Sequence, residues 1–278
     1  MILIPQSDID RFLAEDAPYG DLTSHLLELE GNSAQMTFSA RGPMVLSCSE
    51  EAARLIRQAG GMVDTALPSG TRLEAAQVFL SASGPATALI LAWKVAQTLC
   101  EYASGIATAA ARIVDAARSH SPGIAVACTR KTFPGTRAIA VKSIQAGGAV
   151  PHRLGLSETI LVFPEHRAFL RGRSLAEIVS SLKTKAPERK IVIEVGSHDD
   201  AVEAARAGAD VVQLEKFTPE QVAAVIAGLS GSPTLIAAAG GVNGENAALY
   251  ARTGAHILVS SAPYWAKPAD VKVTIGPL

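Results

Sequence analysis

Cysteine is scarce: the 278 residues hold three, Cys48, Cys100 and Cys128, far apart along the chain. That excludes an even disulfide framework and a CxxC metal pattern, and it predicts reduced core thiols in a reducing compartment. Excess charge is missing as well. With 25 Lys+Arg against 26 Asp+Glu the net charge is −1. No global basic field exists to hold nucleic acid or an anionic membrane, so any anion site must be local. Long apolar runs are absent. The longest, 86–100, is broken by Lys94 and falls short of the roughly 20 residues that a membrane span needs. The opening Met-Ile-Leu-Ile-Pro has no basic flank and meets Asp8 and Asp10 at once, unlike a signal peptide. No GxGxxG follows the first strand of the parallel region, and neither HExxH nor a nucleophile elbow occurs. The expectation is a soluble cytoplasmic protein that engages neither nucleic acid nor membrane.

What is there is a normal globular balance, 48% apolar, in a chain long enough for one large barrel or two modest domains. The first third is mixed. It predicts a short helix at 9–14, a strand pair over 34–47 around Gly42-Pro43, an amphipathic helix at 50–59 and a strand at 71–81. A long Ala-rich helical pattern covers 86–118, and Ser104-Gly105 predicts a break or kink within it. After Ser121-Pro122-Gly123 the texture changes. Short β-branched runs at 124–128, 159–163, 191–195, 211–214, 235–238 and 257–260 alternate with helical windows at 176–182, 200–207, 219–227 and 245–253. Continuous apolar strands alternating with helices argue a parallel sheet covered on both faces. The predicted fold is α/β: a mixed α/β N-terminal domain over 1–108, then an incomplete (β/α) barrel over 109–265. The tail, 266–278, returns to the first domain through an edge strand at 271–275.

Active sites of parallel barrels sit at the C-terminal ends of the strands, so the residues that follow each strand matter most. The first strand leads into Thr129-Arg130-Lys131-Thr132, and Gly147-Gly148 and His152-Arg153 come after its helical stretch. Glu194 interrupts the apolar run 191–195, and Glu215 closes the next strand. Ala239-Gly240-Gly241 ends the fifth strand, with Gly244 opening a helix, and Ser260-Ser261 ends the sixth. A glycine turn at a helix start favours anions, because free N–H groups and the helix dipole face the ligand. Two carboxylates in the same mouth suit Mg²⁺, which keeps waters and phosphate oxygens among its ligands. Taken singly, Arg130-Lys131 reads as a solvated loop, Gly240-Gly241 equally as a plain turn or a phosphate loop, and Glu215 as an uninformative strand-end charge. Glu194 is different, because a carboxylate within a buried strand rarely goes unpaired. His25, His120, His198 and His256 have no ligand spacing and read as structural or exposed. The joint pattern describes a site for a phosphorylated, polyanionic, Mg²⁺-bound substrate.

The run Thr129-Arg130-Lys131-Thr132-Phe133-Pro134-Gly135-Thr136-Arg137, followed by Gly147-Gly148 and His152-Arg153-Leu154-Gly155-Leu156, resembles the core signature of quinolinate phosphoribosyltransferases. Gly20-Asp21-Leu22-Thr23-Ser24, Ser104-Gly105-Ile106-Ala107-Thr108 and Ala239-Gly240-Gly241 resemble three further blocks of that family, in order along nearly the whole chain. The variants from Gly147-Gly148-Ala149 to Ser157-Glu158-Thr159-Ile160-Leu161-Val162-Phe163 resemble its ModD branch of pyrophosphorylases, associated by name with molybdenum transport.

The resemblance implies a homodimer in which the N-terminal domain of one subunit caps the barrel of the other. It implies transfer of phosphoribose from 5-phosphoribosyl-1-pyrophosphate (PRPP), with Mg²⁺, to a heterocyclic acceptor, and release of pyrophosphate. By position, Thr129, Arg130, His152 and Arg153 would hold the acceptor and Lys131 would meet PRPP. Glu194 and Glu215 would hold Mg²⁺ and the ribose hydroxyls. Ala239, Gly240, Gly241 and Ser261 would line the 5′-phosphate. Three positions depart from the family pattern. Lys94 replaces an arginine that crosses the dimer interface, Phe163 replaces a substrate-facing lysine, and Glu215 replaces an aspartate. The anion and metal positions persist while the acceptor pocket has lost positive charge, which implies an acceptor other than quinolinate. Two alternatives stay open: a true decarboxylating quinolinate phosphoribosyltransferase of NAD biosynthesis, and a non-catalytic barrel that binds a phospholigand or oxyanion and assists metal-cofactor supply.

Overall fold

The chain is described by a computed structural model over residues 2–278. Two short helices come first, α1 (Gln6–Asp16) and α2 (Leu22–Leu26). The second starts at Asp21, whose carboxylate accepts from the Thr23 amide at 3.0 Å. β1 (Ser33–Ala40) buries Ala34, Met36, Phe38 and Ala40, the period of two expected of a half-buried strand. Then follow β2 (Met44–Val45), α3 (Ser49–Gln58), β3 (Met62–Ala66), β4 (Arg72–Leu73), β5 (Val78–Pro85) and α4 (Ala86–Arg118). The parallel region carries β6 (Ala125–Cys128), α5 (Arg137–Ala146), β7 (Val150–Pro151), β8 (Ile160–Val162), α6 (Pro164–Ala168), α7 (Leu175–Lys185), β9 (Ile191–Val195) and α8 (His198–Arg206). It continues with β10 (Val211–Glu215), α9 (Pro219–Gly228), β11 (Leu235–Ala239), α10 (Ala247–Arg252) and β12 (Ile257–Ser260), and β13 (Val271–Pro277) closes the chain.

These elements form two units. The first holds the chain up to Ala111 with Thr132–Gly148 and Pro263–Leu278; the second holds Arg112–Lys131 and Ala149–Ala262. In the first, an antiparallel sheet of order β13-β1-β5-β3 packs on α1, α3 and α4. Phe38 and Phe79 meet edge to face at 6.0 Å within its aliphatic core. β13 runs antiparallel along β1, from Val271 opposite Ala40 to Pro277 opposite Ala34. Three expectations fail here. The single strand expected at 71–81 is two, β4 and β5, separated by a turn. β1 and β2 do not pair: β2 pairs with β4 in a separate ribbon. The end of β1 is already occupied on both sides, with Ala40 N donating to Gln77 O and Arg41 N to Asp270 O, so no edge is left for a hairpin partner. Nor does α4 break at Ser104-Gly105. A Cβ on Gly105 would stand 2.4 Å from the Lys267 carbonyl oxygen and 3.0 Å from Pro268 Cα. The glycine is a contact surface for another segment, not a stop.

In the second unit, all neighbouring strands of the sheet β7-β6-β12-β11-β10-β9-β8 run parallel, and β7 and β8 are its edges. This is the expected incomplete barrel. Three of its helices start on side-chain caps: Ser174 with Glu177 at α7, Ser197 at α8, and Thr218 with Gln221 at α9. The strand pattern did not foresee β7, whose two residues are too few to carry a period. Among the described residues no helix is long and apolar enough to cross a membrane.

Candidate active site

Alternation along the barrel strands selects what reaches the mouth. Leu161, Val192, Val211, Ala237, Ala239 and Val259 pack together inside the sheet. Farther along the same strands, the same face carries Phe163, Glu194, Gln213, Glu215 and Ser261. Ala127 lies opposite both Val259 and Val150, so Thr129 and His152 continue that face on β6 and β7.

The ends of β6 and β7 gather the cations, and β8 leads into Phe163 beside them. Thr129 N donates to Ser260 O at 2.9 Å, its hydroxyl accepts from Lys131 N at 3.3 Å, and His152 N donates to Cys128 O at 2.8 Å. Arg153 is 7% exposed, and its guanidinium lies 5.7 Å from the Phe163 ring centroid. Burial, and then the nearby Arg130 charge, lower its pKa. Burial and the Arg153 charge likewise lower that of His152, against a smaller opposing effect of Gln213, so the His152 ring is neutral near pH 7. Phe163 is fixed at its own end: its N–H donates to His166 Nδ1 at 3.0 Å, and the two rings stack with centroids 5.7 Å apart.

β9 and β10 supply the acids. Glu194 Oε2 accepts from Gln213 Nε2 at 2.7 Å. Burial first, and then the Glu215 charge, push the Glu194 carboxyl above its ordinary pKa; Gln213 and Lys131 act against this and Glu165 adds to it. Gln213 itself is buried; its amide lies near enough to the His152 ring to raise that ring's pKa, yet among the described residues its Oε1 has no hydrogen bond of proper geometry. A cavity of about 370 Å³ beside the β9 and β10 ends is lined by Gly196, Ser197, Glu215 and Lys216 among others.

The glycine turn after β11 is held from several sides. Gly240 and Gly241 take φ of 85° and 111°. A Cβ on Gly240 would stand 2.6 Å from Lys216 N and 2.9 Å from Glu215 Oε1. Lys216 N donates to Ala239 O at 2.8 Å, Ser260 Oγ to Val242 O at 2.6 Å and Asn246 Nδ2 to Gly241 O at 3.0 Å. The helix start contributes less than expected. α10 begins only at Ala247, and Asn243 Oδ1 already accepts from the Glu245 and Asn246 amides. Among the described residues, the N–H groups of this turn without a protein acceptor are those of Gly240, Gly241, Val242 and Gly244.

The structure thus gathers Thr129, Arg130, Lys131, His152, Arg153, Phe163, Glu194, Glu215, Ala239, Gly240, Gly241 and Ser261 at one end of one sheet. Lys94 belongs to the first unit, on α4, with Nζ 4.5 Å from the Trp93 ring centroid and 3.2 Å from Gln97 Oε1. Sequence reasoning missed Gln213, His166, Lys216, Asn243 and Asn246. For Gln213 the signal was present, since it interrupts an apolar strand as Glu194 does. The others act through backbone contacts that have no sequence period.

Known proteins agree with this architecture. Residues 21–104 and 106–274 match the N-terminal and C-terminal domains, respectively, of quinolinate phosphoribosyl transferase. The chain is 47% identical over 255 residues to a Rhodobacter capsulatus protein named "Putative pyrophosphorylase ModD", covering 91% of this chain and 98% of that one. It is 31% identical over 261 residues to the carboxylating nicotinate-nucleotide pyrophosphorylase of Mycobacterium leprae (strain TN), covering 91% and 90%. The crystal structure of NadC from Streptococcus pyogenes superposes with a TM-score of 0.91 at 24% identity, covering 100% of this chain and 99% of that one, a likeness of fold. The matched domains span the mouth residues in sequence order, and the chain belongs to the quinolinate phosphoribosyl transferase family of pentosyltransferases.

Proposed function

We propose that the protein is a Mg²⁺-dependent phosphoribosyltransferase that moves phosphoribose from PRPP to a heterocyclic acceptor other than quinolinate. The observation that carries this reading is the set of charges along the mouth: Arg153, Arg130 and Lys131 at the ends of β7 and β6, the glycine turn at the end of β11, and two repelling carboxylates on β10 and β9. In the reaction, a lone pair on an acceptor ring nitrogen forms the bond to ribose C1. The C1–O bond to pyrophosphate breaks, and its electron pair leaves with the pyrophosphate. The transition state is oxocarbenium-like, so stabilisation comes from charge and positioning. Lys131 would face the departing pyrophosphate, and the Gly240 and Gly241 N–H groups would hold the 5′-phosphate. Glu194 and Glu215 fit a divalent cation, since burial and then the Glu215 charge raise Glu194, with Gln213 and Lys131 opposing, and a cation there would favour both ionised carboxylates. When bound, the metal adds positive charge where the leaving group develops negative charge.

The acceptor follows from Phe163. Where a lysine would pair with a second carboxylate, Phe163 offers ring area and holds Arg153 against its face. A lost contact of about 3–4 kcal/mol lowers quinolinate turnover by roughly 10²–10³. A dimer with shared sites and a role in molybdenum supply, both implied by the resemblance, belong to the same proposal.

Thermal shift with PRPP and Mg²⁺, singly and together, tests the first half. A ligand at 100-fold its Kd adds about 2.7 kcal/mol, and the large shift is expected only with both present. An equal shift with PRPP in chelator overturns the metal assignment. Pyrophosphate release with quinolinate, nicotinate and neutral purine, pyrimidine and pteridine-like rings tests the second half. Efficient quinolinate turnover to nicotinate mononucleotide and CO₂ would restore the plain quinolinate reading.

A further inference from the structure

Gln213 is the one buried amide on the inner face of the barrel mouth among the described residues, and half of it is unused. Its neighbours across the sheet are Glu194 on β9 and Ala237 on β11. The Nε2 end is committed to Glu194 Oε2 at 2.7 Å. That contact also fixes the amide's orientation, because turning it over would set an amide oxygen against a carboxylate oxygen. Oε1 therefore points away from Glu194, on the side of the His152 ring, whose pKa it raises as a neighbouring acceptor; that ring N–H is a nearby donor, yet among the described residues Oε1 is buried with no hydrogen bond of proper geometry. Burying an amide oxygen unpaired costs about 1–3 kcal/mol. An apolar side chain of the same length would avoid that cost among Val192, Val211 and Ala237, which share this face.

We infer that Gln213 selects the acceptor by accepting a hydrogen bond from it, so that the substrate class is a heteroaromatic ring bearing a ring N–H, amino or carboxamide donor. This rests on the phosphoribosyltransferase reading and adds what that reading leaves open. Quinolinate and nicotinate at neutral pH offer only acceptors, and a carboxylate turned toward Oε1 meets a like partial charge. A donor-bearing ring satisfies Oε1, with Ala237 too small to obstruct the approach. A site built to pair with a donor discriminates sharply against an analogue lacking it, because the buried group is then left unpaired. A sugar hydroxyl could also donate, but the ribose contacts implied for Glu194 lie at the Nε2 end of the amide.

The test is calorimetric binding of nicotinamide and hypoxanthine, which carry donors, against nicotinate and quinolinate, which do not. It is run without PRPP on the wild type and on Gln213→Met. At least one donor-bearing ring is expected to bind about 10- to 100-fold tighter than the donor-free rings, and Gln213→Met is expected to collapse that ratio towards one. A general loss of packing would weaken all four rings together and leave the ratio in place. Donor-free rings binding the wild type as tightly as donor-bearing ones, or no ring of either kind binding, overturns the inference whether or not the variant folds. A ratio that survives Gln213→Met overturns it as well. The PRPP and Mg²⁺ shift, read separately on the wild type, shows whether the phosphoribosyltransferase reading fails instead.

Discussion

Glu194 carries a charge that the folded barrel resists. Burial and the Glu215 carboxylate raise its folded pKa above the ordinary 4.5, so its ionisation weakens the fold as pH rises through the folded value. Glu194→Gln is therefore expected to raise Tm in chelator at pH 7 to 8, and that advantage should vanish as the pH falls and the wild-type carboxyl protonates. Thermal melts across pH check the sign, and a variant less stable than wild type at pH 8 contradicts it. Gly240 is constrained differently. Its φ of 85° is strained for any side chain, and an added Cβ would meet backbone at 2.6 Å. Gly240→Ala should cost about 1–3 kcal/mol in denaturant unfolding and abolish the PRPP shift. Phe163→Lys restores a cation beside Arg153, and a gain of quinolinate turnover is the expected result.

At the scale of elements, close approach outweighs propensity. In an exposed helix Gly→Ala gains about 1 kcal/mol. In α4, Gly105→Ala should destabilise instead, because its Cβ would stand 2.4 Å from a carbonyl oxygen of the returning C-terminal segment. Equilibrium unfolding decides, and a more stable variant would contradict the packing. The joint of α3 with α5 is an ion cluster. Lys142 Nζ on α5 bridges Glu51 at 2.5 Å and Glu50 at 3.0 Å on α3, and Glu51 is 6% exposed. Lys142→Met leaves that carboxylate buried and unpaired, a loss of about 3–5 kcal/mol, and adding Glu51→Gln should recover much of it. Although burial works against ionisation, Ser69 and Lys142 hold the Glu50 carboxyl down to about 2, against an ordinary 4.5. Its contribution is complete above pH 4.5 and is lost as the pH falls towards 2, so Glu50→Gln should flatten acid unfolding in that window.

At the scale of the whole molecule, the proposed dimer makes a prediction that neither unit makes alone. If Lys94 serves the neighbouring subunit's site, inactive Lys94→Ala and inactive Arg130→Ala protomers should regain activity when mixed, because one hybrid site is intact. Sedimentation establishes the assembly. A monomer, or no recovery after verified subunit exchange, counts against shared sites. The net charge of −1 means that anion recruitment rests on the local field of Arg130, Lys131 and Arg153, so PRPP affinity should fall as salt rises.

The sequence by itself determined the incomplete barrel and the acids at its mouth. Apolar strands alternating with helices are a local pattern, and Glu194 stands out because a charge within such a run must be accounted for. The same rule made Gln213 legible, yet only the fold decides that one end of its amide meets Glu194 and the other makes no hydrogen bond. The fold also decided that β1 and β2 part, that α4 runs on through Gly105, and that two residues, Val150–Pro151, pair with β6 and bring His152 and Arg153 to the mouth. In each case the deciding contact comes from a residue far along the chain: Gln77 and Asp270 at β1, Lys267 at Gly105, Cys128 at His152. A sequence period records whether a residue is buried, and only packing settles which distant group it is buried against.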